Sequence, residues 1–392
     1  MKPNRSLLLL CVCQALFLTN NVTFIAINGL VGLRLAPAGW MATLPVMGYV
    51  VGGALAAAPV ARLQARWGRK RSFQIGLVVA ALTAAGGALA VSRGSFWGVL
   101  AATVLAGFYN ANAQLYRFAG PELVAPEHKA KAISLVMAGG VAGAFIGPNL
   151  ANATRDWLPA PFAGAYAALV GVALIGLAVM STIRFPPHVA AAPGSDQGRT
   201  VAELARQPAF VVAIAAGALA YGVMNLLMAA TPLAMQRCGL PFSDAAMVIQ
   251  WHVLGMFVPA FFTGHLIQRF GILPIMAVGA VLNLACIVIA LTGLEFERFL
   301  AALLLLGVGW NFLFTGATTL LTTTYRPQER MRAQGTMDFC VFTTTAVTSF
   351  ASGALVTTQG WFLLNLGSLV PLALVVMALT WLWRRPAARA LA

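Results

Sequence analysis

Apolar runs of about 20 residues follow one another along almost the whole chain, separated by short connections that carry most of the Lys and Arg. At a helical rise of 1.5 Å per residue, such a run covers the roughly 30 Å of a bilayer's hydrocarbon core. No water is available there to pair backbone N–H and C=O groups, so each run must satisfy them internally as a helix. The spacing predicts about twelve spans, with ends uncertain by a few residues: 6–33, 39–63, 72–92, 95–120, 131–154, 162–184, 209–236, 243–268, 272–293, 298–324, 333–356 and 361–383.

Composition agrees. Of 392 residues, 60% are hydrophobic and 9% charged, against about 25% charged in soluble domains. A net charge of +15 would suit nucleic acid, but the cations sit in short turns rather than on a soluble basic face, so no nucleic-acid partner is expected. The partner is the lipid bilayer. The first run is too long for a signal-peptide core and is read as a retained span. With the N-terminus inside, only Arg34, Arg93, Arg155, Arg237 and Arg298 fall outside. This predicts a multi-pass inner-membrane protein with both termini cytoplasmic. Trp40, Trp97, Trp157 and Trp361 fall near one interface, and Trp67, Trp381 and Trp383 near the other.

The clearest interruption, 185–206, contains Pro186, Pro187, Pro193 and Gly194. It divides the chain into an N-terminal half (1–184), a central cytoplasmic loop (185–206) and a C-terminal half (207–392). The halves repeat: Arg66-Trp67-Gly68 follows the second span, and Arg269-Phe270-Gly271 follows the eighth. The stretch Ala61 to Lys70 resembles the G-x-x-x-D-R-x-G-R-[RK] loop of the major facilitator superfamily, with Ala61 and Ala65 in place of its Gly and Asp. The resemblance implies an all-α membrane protein with the major facilitator fold: 12 transmembrane helices as two six-helix halves in parallel repeat, and a substrate site near the midplane.

Two residue pairs bear on the site. Met224-x-x-x-Met228 and His252-x-x-x-Met256 each put both members on one helix face. Counted from the outer ends of their spans, Met228 and Met224 lie ~12 and ~18 Å deep, and His252 and Met256 ~14 and ~20 Å deep. Three thioethers and an imidazole at one level form a soft donor set suited to Cu(I). Neutral Met and His bind without losing a proton at neutral pH. An ionisable residue deep in a span marks a substrate path by default, the lesser alternative for His252 being a helix–helix hydrogen bond. The two pairs resemble the signature of CcoA-type copper importers, a group within the same superfamily. Gly309-Trp310-Asn311-Phe312 and Gln114 to Phe118 resemble that group more weakly. The resemblance implies Met224, Met228, His252 and Met256 as the metal site. It also implies copper, as Cu(I) ion or small chelate, as cargo and not cofactor, with hand-over to cytoplasmic or membrane copper chaperones and use in assembly of cbb3-type cytochrome oxidase.

Other residues carry weaker signals. Cys238, near the outer face, is a candidate accessory metal ligand or an unpaired interfacial thiol. Cys11 and Cys13 point to nearly opposite sides of a helix, and Cys286 and Cys340 read as small core residues. Arg117 and Asp338 read as buried charges, either pairing as an inner gate or satisfied locally, Arg117 by Glu122 for instance. Gly139, Gly143, Gly147 and Pro148 form a small-residue stripe that also resembles a motif of antiporters in this superfamily, which favours export. No nucleotide-binding loop and no hydrolytic constellation occurs, so the chain reads as a secondary transporter and not an enzyme. Two alternatives stay open: a proton-coupled exporter of drugs or metabolites, and a membrane copper-binding assembly factor.

Overall fold

The computed structural model describes residues 4–125, 129–186, 198–326 and 329–385. Every regular element among them is helical. Contacts divide the chain into two units, residues 1–191 with 241–250, and residues 192–240 with 251–392. Of the central loop, Pro187, Pro193 and Gly194 lie outside the described residues, as do Lys2 and Arg389.

The first unit contains α1 (Arg5–Leu35), α2 (Leu44–Ser92), α3 (Phe96–Ala113), α4 (Tyr116–Ala119), α5 (Lys129–Thr154) and α6 (Ala163–Thr182). Asn4 starts α1 by accepting the Ser6 N–H at 2.9 Å, and its own amide donates to the Leu123 carbonyl at 2.5 Å. Ser95 caps α3 by accepting the Gly98 N–H at 3.2 Å. The glycine stripe of α5 is a packing seam: a Cβ on Gly139 or Gly143 would lie 2.4 Å from the α1 carbonyl oxygens of Cys11 and Ala15. Only glycine permits that approach. Phe17 meets Tyr109 and Tyr116 edge-on at 5.7 and 6.4 Å, and Phe73 meets Tyr116 at 4.8 Å. Such pairs add about 0.5–1.5 kcal/mol each beyond simple contact.

The second unit contains α7 (Val201–Leu204), α8 (Pro208–Arg237), residues 251–257 of α9 (Phe242–Phe257), then α10 (Ala260–Phe270), α11 (Ile272–Ala290), α12 (Phe296–Thr322), α13 (Arg330–Thr358), α14 (Gly360–Gly367) and α15 (Leu369–Trp383). Helix α8 packs on α12, α13 and α15 and is the most enclosed span. The Asn225 amide nitrogen reaches three acceptors on α13: the Thr345 carbonyl (3.2 Å), Thr348 Oγ1 (3.0 Å) and Ser349 Oγ (2.9 Å). Interhelical bonds of this kind replace the hydrophobic drive that lipid cannot supply between helices.

Among the described residues, 10 helices are long and apolar enough to span a bilayer, and α9 with α10, bent by 41°, makes an eleventh. The remaining predicted span is α3, which is 18 residues long and carries Asn110 and Asn112. The helix predicted to run on to residue 120 stops at Ala113. Arg117 therefore sits on the separate single turn α4, with its guanidinium 4.8 Å from the Phe118 ring centroid. It is half-buried rather than deep in a continuous span. The second and third spans, by contrast, are joined across a kink at Gly68.

Gly68 (φ 75°, ψ 172°) and Gly271 (φ 89°, ψ 164°) share one backbone conformation, reachable almost only by glycine. The Arg-aromatic-Gly repeat is thus a structural repeat. Beside the first copy, Arg69 pairs with Glu122 at 2.7 Å, so Glu122 has a partner other than the Arg117 suggested for it. In the second unit the buried Glu329 carboxylate accepts from Arg199 Nε (2.8 Å), Arg199 Nη2 (2.7 Å), the Arg199 N–H (2.9 Å) and the Arg326 N–H (2.9 Å). The Arg199 side chain, then the Arg326 N–H, hold this carboxylate well below the usual range. The stretch expected to be pure loop also contains α7, closed by a capping box between Thr200 and Glu203.

Trp361 departs from the interfacial belt: it is buried, donates to the Ala290 carbonyl at 3.2 Å and packs on Phe299. The other belt tryptophans, Trp40, Trp67, Trp97, Trp157, Trp381 and Trp383, are exposed.

Candidate functional site

Helix α12 packs against both helices that carry the residue pairs. On one side lies α9, whose backbone approaches so closely that a Cβ on Gly307 would sit 2.3 Å from the His252 carbonyl oxygen and 3.0 Å from the Met256 nitrogen. His252 Nδ1 bonds to the Leu303 carbonyl at 2.7 Å. A carbonyl only accepts, so Nδ1 carries the proton, and in the neutral ring Nε2 keeps its lone pair. His252 is 0% exposed, and Nε2 has no protein partner. The helix ends at Phe257 and breaks before Pro259, which has no N–H to continue the ladder. The Asn311 amide donates to the Met256 carbonyl at 2.7 Å and accepts from Thr263 Oγ1 at 2.6 Å, tying both arms of the bend to α12.

On another side lies α8, antiparallel to α12. A Cβ on Gly217 would lie 3.6 Å from Ala317 Cβ, and the Tyr221 ring meets Trp310 and Phe314 edge-on, each at 5.4 Å. Continuing from Tyr221, Met224 comes level with about residue 309 of α12 and Met228 with about residue 305. Those are the levels at which α9 places Met256 and His252. At about 100° per residue, Met224 and Met228 also share a helix face with Tyr221, which rests on α12, and with Gly217, which lies against Met337 of α13 and Ala317 of α12. All four side chains are buried: Met224 1%, Met228 5%, His252 0% and Met256 7% exposed.

Around this level the side chains are neutral. Trp310 and Phe314 stack face to face at 5.1 Å and 10°. Trp310 is 7% exposed, and its Nε1 has no protein partner. Asn283, fully buried on α11, lies against Gly309, and neither of its amide atoms has a protein partner. Thioethers, aromatic faces and unpaired neutral donors and acceptors can hold either a soft cation or a flat heterocycle. No cluster of three His, Cys, Asp or Glu suited to a metal occurs among the described residues.

Several expected residues fall elsewhere. Cys238 is exposed at the end of α8, and its partial desolvation pushes the thiol up, away from the thiolate that binds metal. Asp338 is exposed rather than buried, because α13 turns Ala333, Met337, Val341, Thr345 and Ser349 inward and leaves position 338 off that stripe. Cys286 is buried, whereas Cys340 is only half-buried. Sequence reasoning missed Tyr221, Asn225 and Asn283, and named Asn311 only within a weaker resemblance. An Asn inside an apolar span was the available signal, since an amide in hydrocarbon is costly without a partner.

The chain matches the family model described as Major Facilitator Superfamily over residues 7–287 and 216–391. It is 40% identical over 364 residues to the riboflavin transporter RfnT of Brucella anthropi, covering 92% of this chain and 91% of that one. It is 28% identical to the MFS-type transporter YddS of Bacillus subtilis, covering 88% of this chain and 83% of that one. Its fold is like that of the nucleoside transporter NupG, with a TM-score of 0.76 at 12% identity over 96% of this chain and 99% of that one. With apolar helices throughout and relatives that are transporters, this multi-pass membrane protein is a transport protein and not an enzyme, and it belongs to the Major Facilitator Superfamily.

Proposed function

We propose that the protein carries riboflavin or a close flavin analogue across the inner membrane by alternating access, with both termini cytoplasmic. The observation that carries this reading is the 40% identity to a riboflavin transporter over nearly the full length of both chains. The character of the site supports it. A flavin is neutral, flat and rich in ring carbonyls and ring nitrogens. The stacked Trp310 and Phe314, the edge-on Tyr221 and the adaptable thioethers of Met224, Met228 and Met256 suit such a ring. No fixed charge is needed, and none of these residues supplies one.

A second reading, import of Cu(I) ion or a small copper chelate for cytochrome oxidase assembly, keeps one specific observation. His252 offers a buried, unpaired Nε2 at the level of three thioethers. None of the relatives above is named as a copper carrier, so this reading rests on the two motifs and that nitrogen. The exporter and assembly-factor readings have less: the described carboxylates include none buried within a span of the first unit.

The test is uptake by cells that express the chain in a background unable to make or import riboflavin. Labelled riboflavin should accumulate and radioactive copper should not. Copper accumulation without riboflavin accumulation would reverse the order of the two readings.

A further inference from the structure

We propose that His252 Nε2 and Trp310 Nε1–H together read the imide edge of the transported heterocycle, the ring N–H flanked by carbonyls. The inference rests on the flavin reading and names the atoms that recognise the solute.

Four buried polar atoms beside α12 lack protein partners: both amide atoms of Asn283 on α11, and His252 Nε2 and Trp310 Nε1, which are of opposite kind. His252 Nε2 is an acceptor, because Nδ1–H is spent on the Leu303 carbonyl at 2.7 Å. Trp310 Nε1–H can only donate. Both residues are more than nine-tenths buried. A charged imidazole would make both ring nitrogens donors, at a high cost inside a span.

They also share a face. Leu303 and Trp310 are seven residues apart, about 20° around the helix and ~10 Å along it. A tryptophan on a helix leans toward the N-terminal end, which brings its indole back toward the level of His252. Gly307, between them, is where α9 touches α12. The site therefore offers one acceptor and one donor beside an aromatic platform formed by Trp310, Phe314 and Tyr221. An imide presents the complement: its N–H meets Nε2 and a flanking carbonyl meets Nε1–H. The pyrimidine-dione ring of a flavin has this edge, and so does uridine.

The chemistry can be tested without relying on a variant's folding. Against labelled riboflavin in wild-type cells, N3-methylriboflavin, which lacks the imide N–H, should compete about tenfold more weakly than riboflavin. His252→Ala should lose about tenfold for riboflavin, with no further loss for the methylated analogue. His252→Gln, which retains an acceptor, should restore part of the difference. Trp310→Phe keeps a ring but removes the donor, so it should weaken both compounds equally. Equal competition by the two flavins in wild type, with riboflavin uptake intact, overturns the edge reading alone. Absence of riboflavin uptake overturns the flavin reading instead. Labelled uridine against N3-methyluridine then tests the same edge, and equal competition there overturns it as well. Copper that blocks riboflavin uptake in wild type but not in His252→Ala would also overturn it, by assigning Nε2 to a metal.

Discussion

Gly307→Ala should disable the site without replacing any residue that faces the solute. The new Cβ would lie 2.3 Å from the His252 carbonyl oxygen, 3.0 Å from the Met256 nitrogen and 3.1 Å from the Gly255 carbonyl carbon. All three are backbone atoms, so no rotamer change relieves the clash. Ordinary contact requires roughly 3.3 Å or more, so α9 must retreat by about 1 Å. That stretches the His252–Leu303 bond from 2.7 Å, and the Asn311–Met256 bond from 2.7 Å, toward about 3.7 Å, beyond hydrogen-bond range. Overpacking costs about 1–3 kcal/mol and each lost bond about 0.5–1.5, giving a destabilisation of about 2–4 kcal/mol after partial relaxation. The imidazole also loses the contact that sets its tautomer. The expected result is a lower melting temperature for purified protein in detergent and at least a tenfold loss of riboflavin uptake at equal membrane abundance. Gly86→Ala is the control: its Cβ meets nothing within 4 Å, so helix propensity should leave stability unchanged or slightly raised. If Gly307→Ala matches that control in both assays, the close α9–α12 contact is not what positions His252.

Gly68→Ala and Gly271→Ala should each cost about 1–2 kcal/mol, because both glycines hold positive φ at the repeated turn; unequal losses in melting temperature would argue against equivalent roles. Glu329 is held ionised by Arg199, so its folded pKa lies below its unfolded one. Its stabilising contribution is therefore complete above the unfolded value, about 4.3, and is lost as pH falls through the folded value. Melting temperature should drop over that acid window in wild type, and Glu329→Gln should be less stable at neutral pH and lack that part of the drop. Met224→Leu and Met228→Leu conserve volume and apolarity, so they should leave riboflavin uptake within about threefold of wild type, whereas a Cu(I) site would lose copper uptake in both.

Much of the helical framework was legible because lipid leaves few choices. Twenty apolar residues between cationic turns must be a helix, and the Arg-aromatic-Gly repeat announced the shared conformation of Gly68 and Gly271. The breaks were less legible. Asn110, Asn112 and Gln114 lower the hydropathy at the end of 95–120 without marking Ala113 as the terminus, and beyond it Tyr116 packs against Phe17 and Phe73. The 41° bend after Met256 had a local signal in Pro259, but its stabilisation by Asn311, 55 positions from Met256, is a contact no local pattern displays. Glu329 likewise looked like an ordinary loop acid, and its burial depends on Arg199, 130 positions away.

The candidate residues were legible as a common level more than as a chemistry. Periodicity and depth pick out Met224, Met228, His252 and Met256, and the packing of α8 and α9 on α12 puts them at common levels. A thioether, however, serves equally as a soft metal ligand and as a pliable wall for an aromatic ring. An imidazole serves equally as ligand and as hydrogen-bond acceptor. What separates the two uses lies on the third helix. Metal coordination needs only sulfur and nitrogen converging on a point. It gives no role to an indole stacked on Phe314, set edge-on to Tyr221 and carrying an unpaired N–H within a few turns of His252. A flat heterocycle uses all of these at once: the rings as a platform, the methionines as lining, and Nε2 with Nε1–H as the pair that fixes orientation. Trp310→Phe therefore distinguishes the two chemistries more sharply than any change at His252. It leaves every candidate metal ligand in place, so a copper carrier should tolerate it, while a flavin carrier should not.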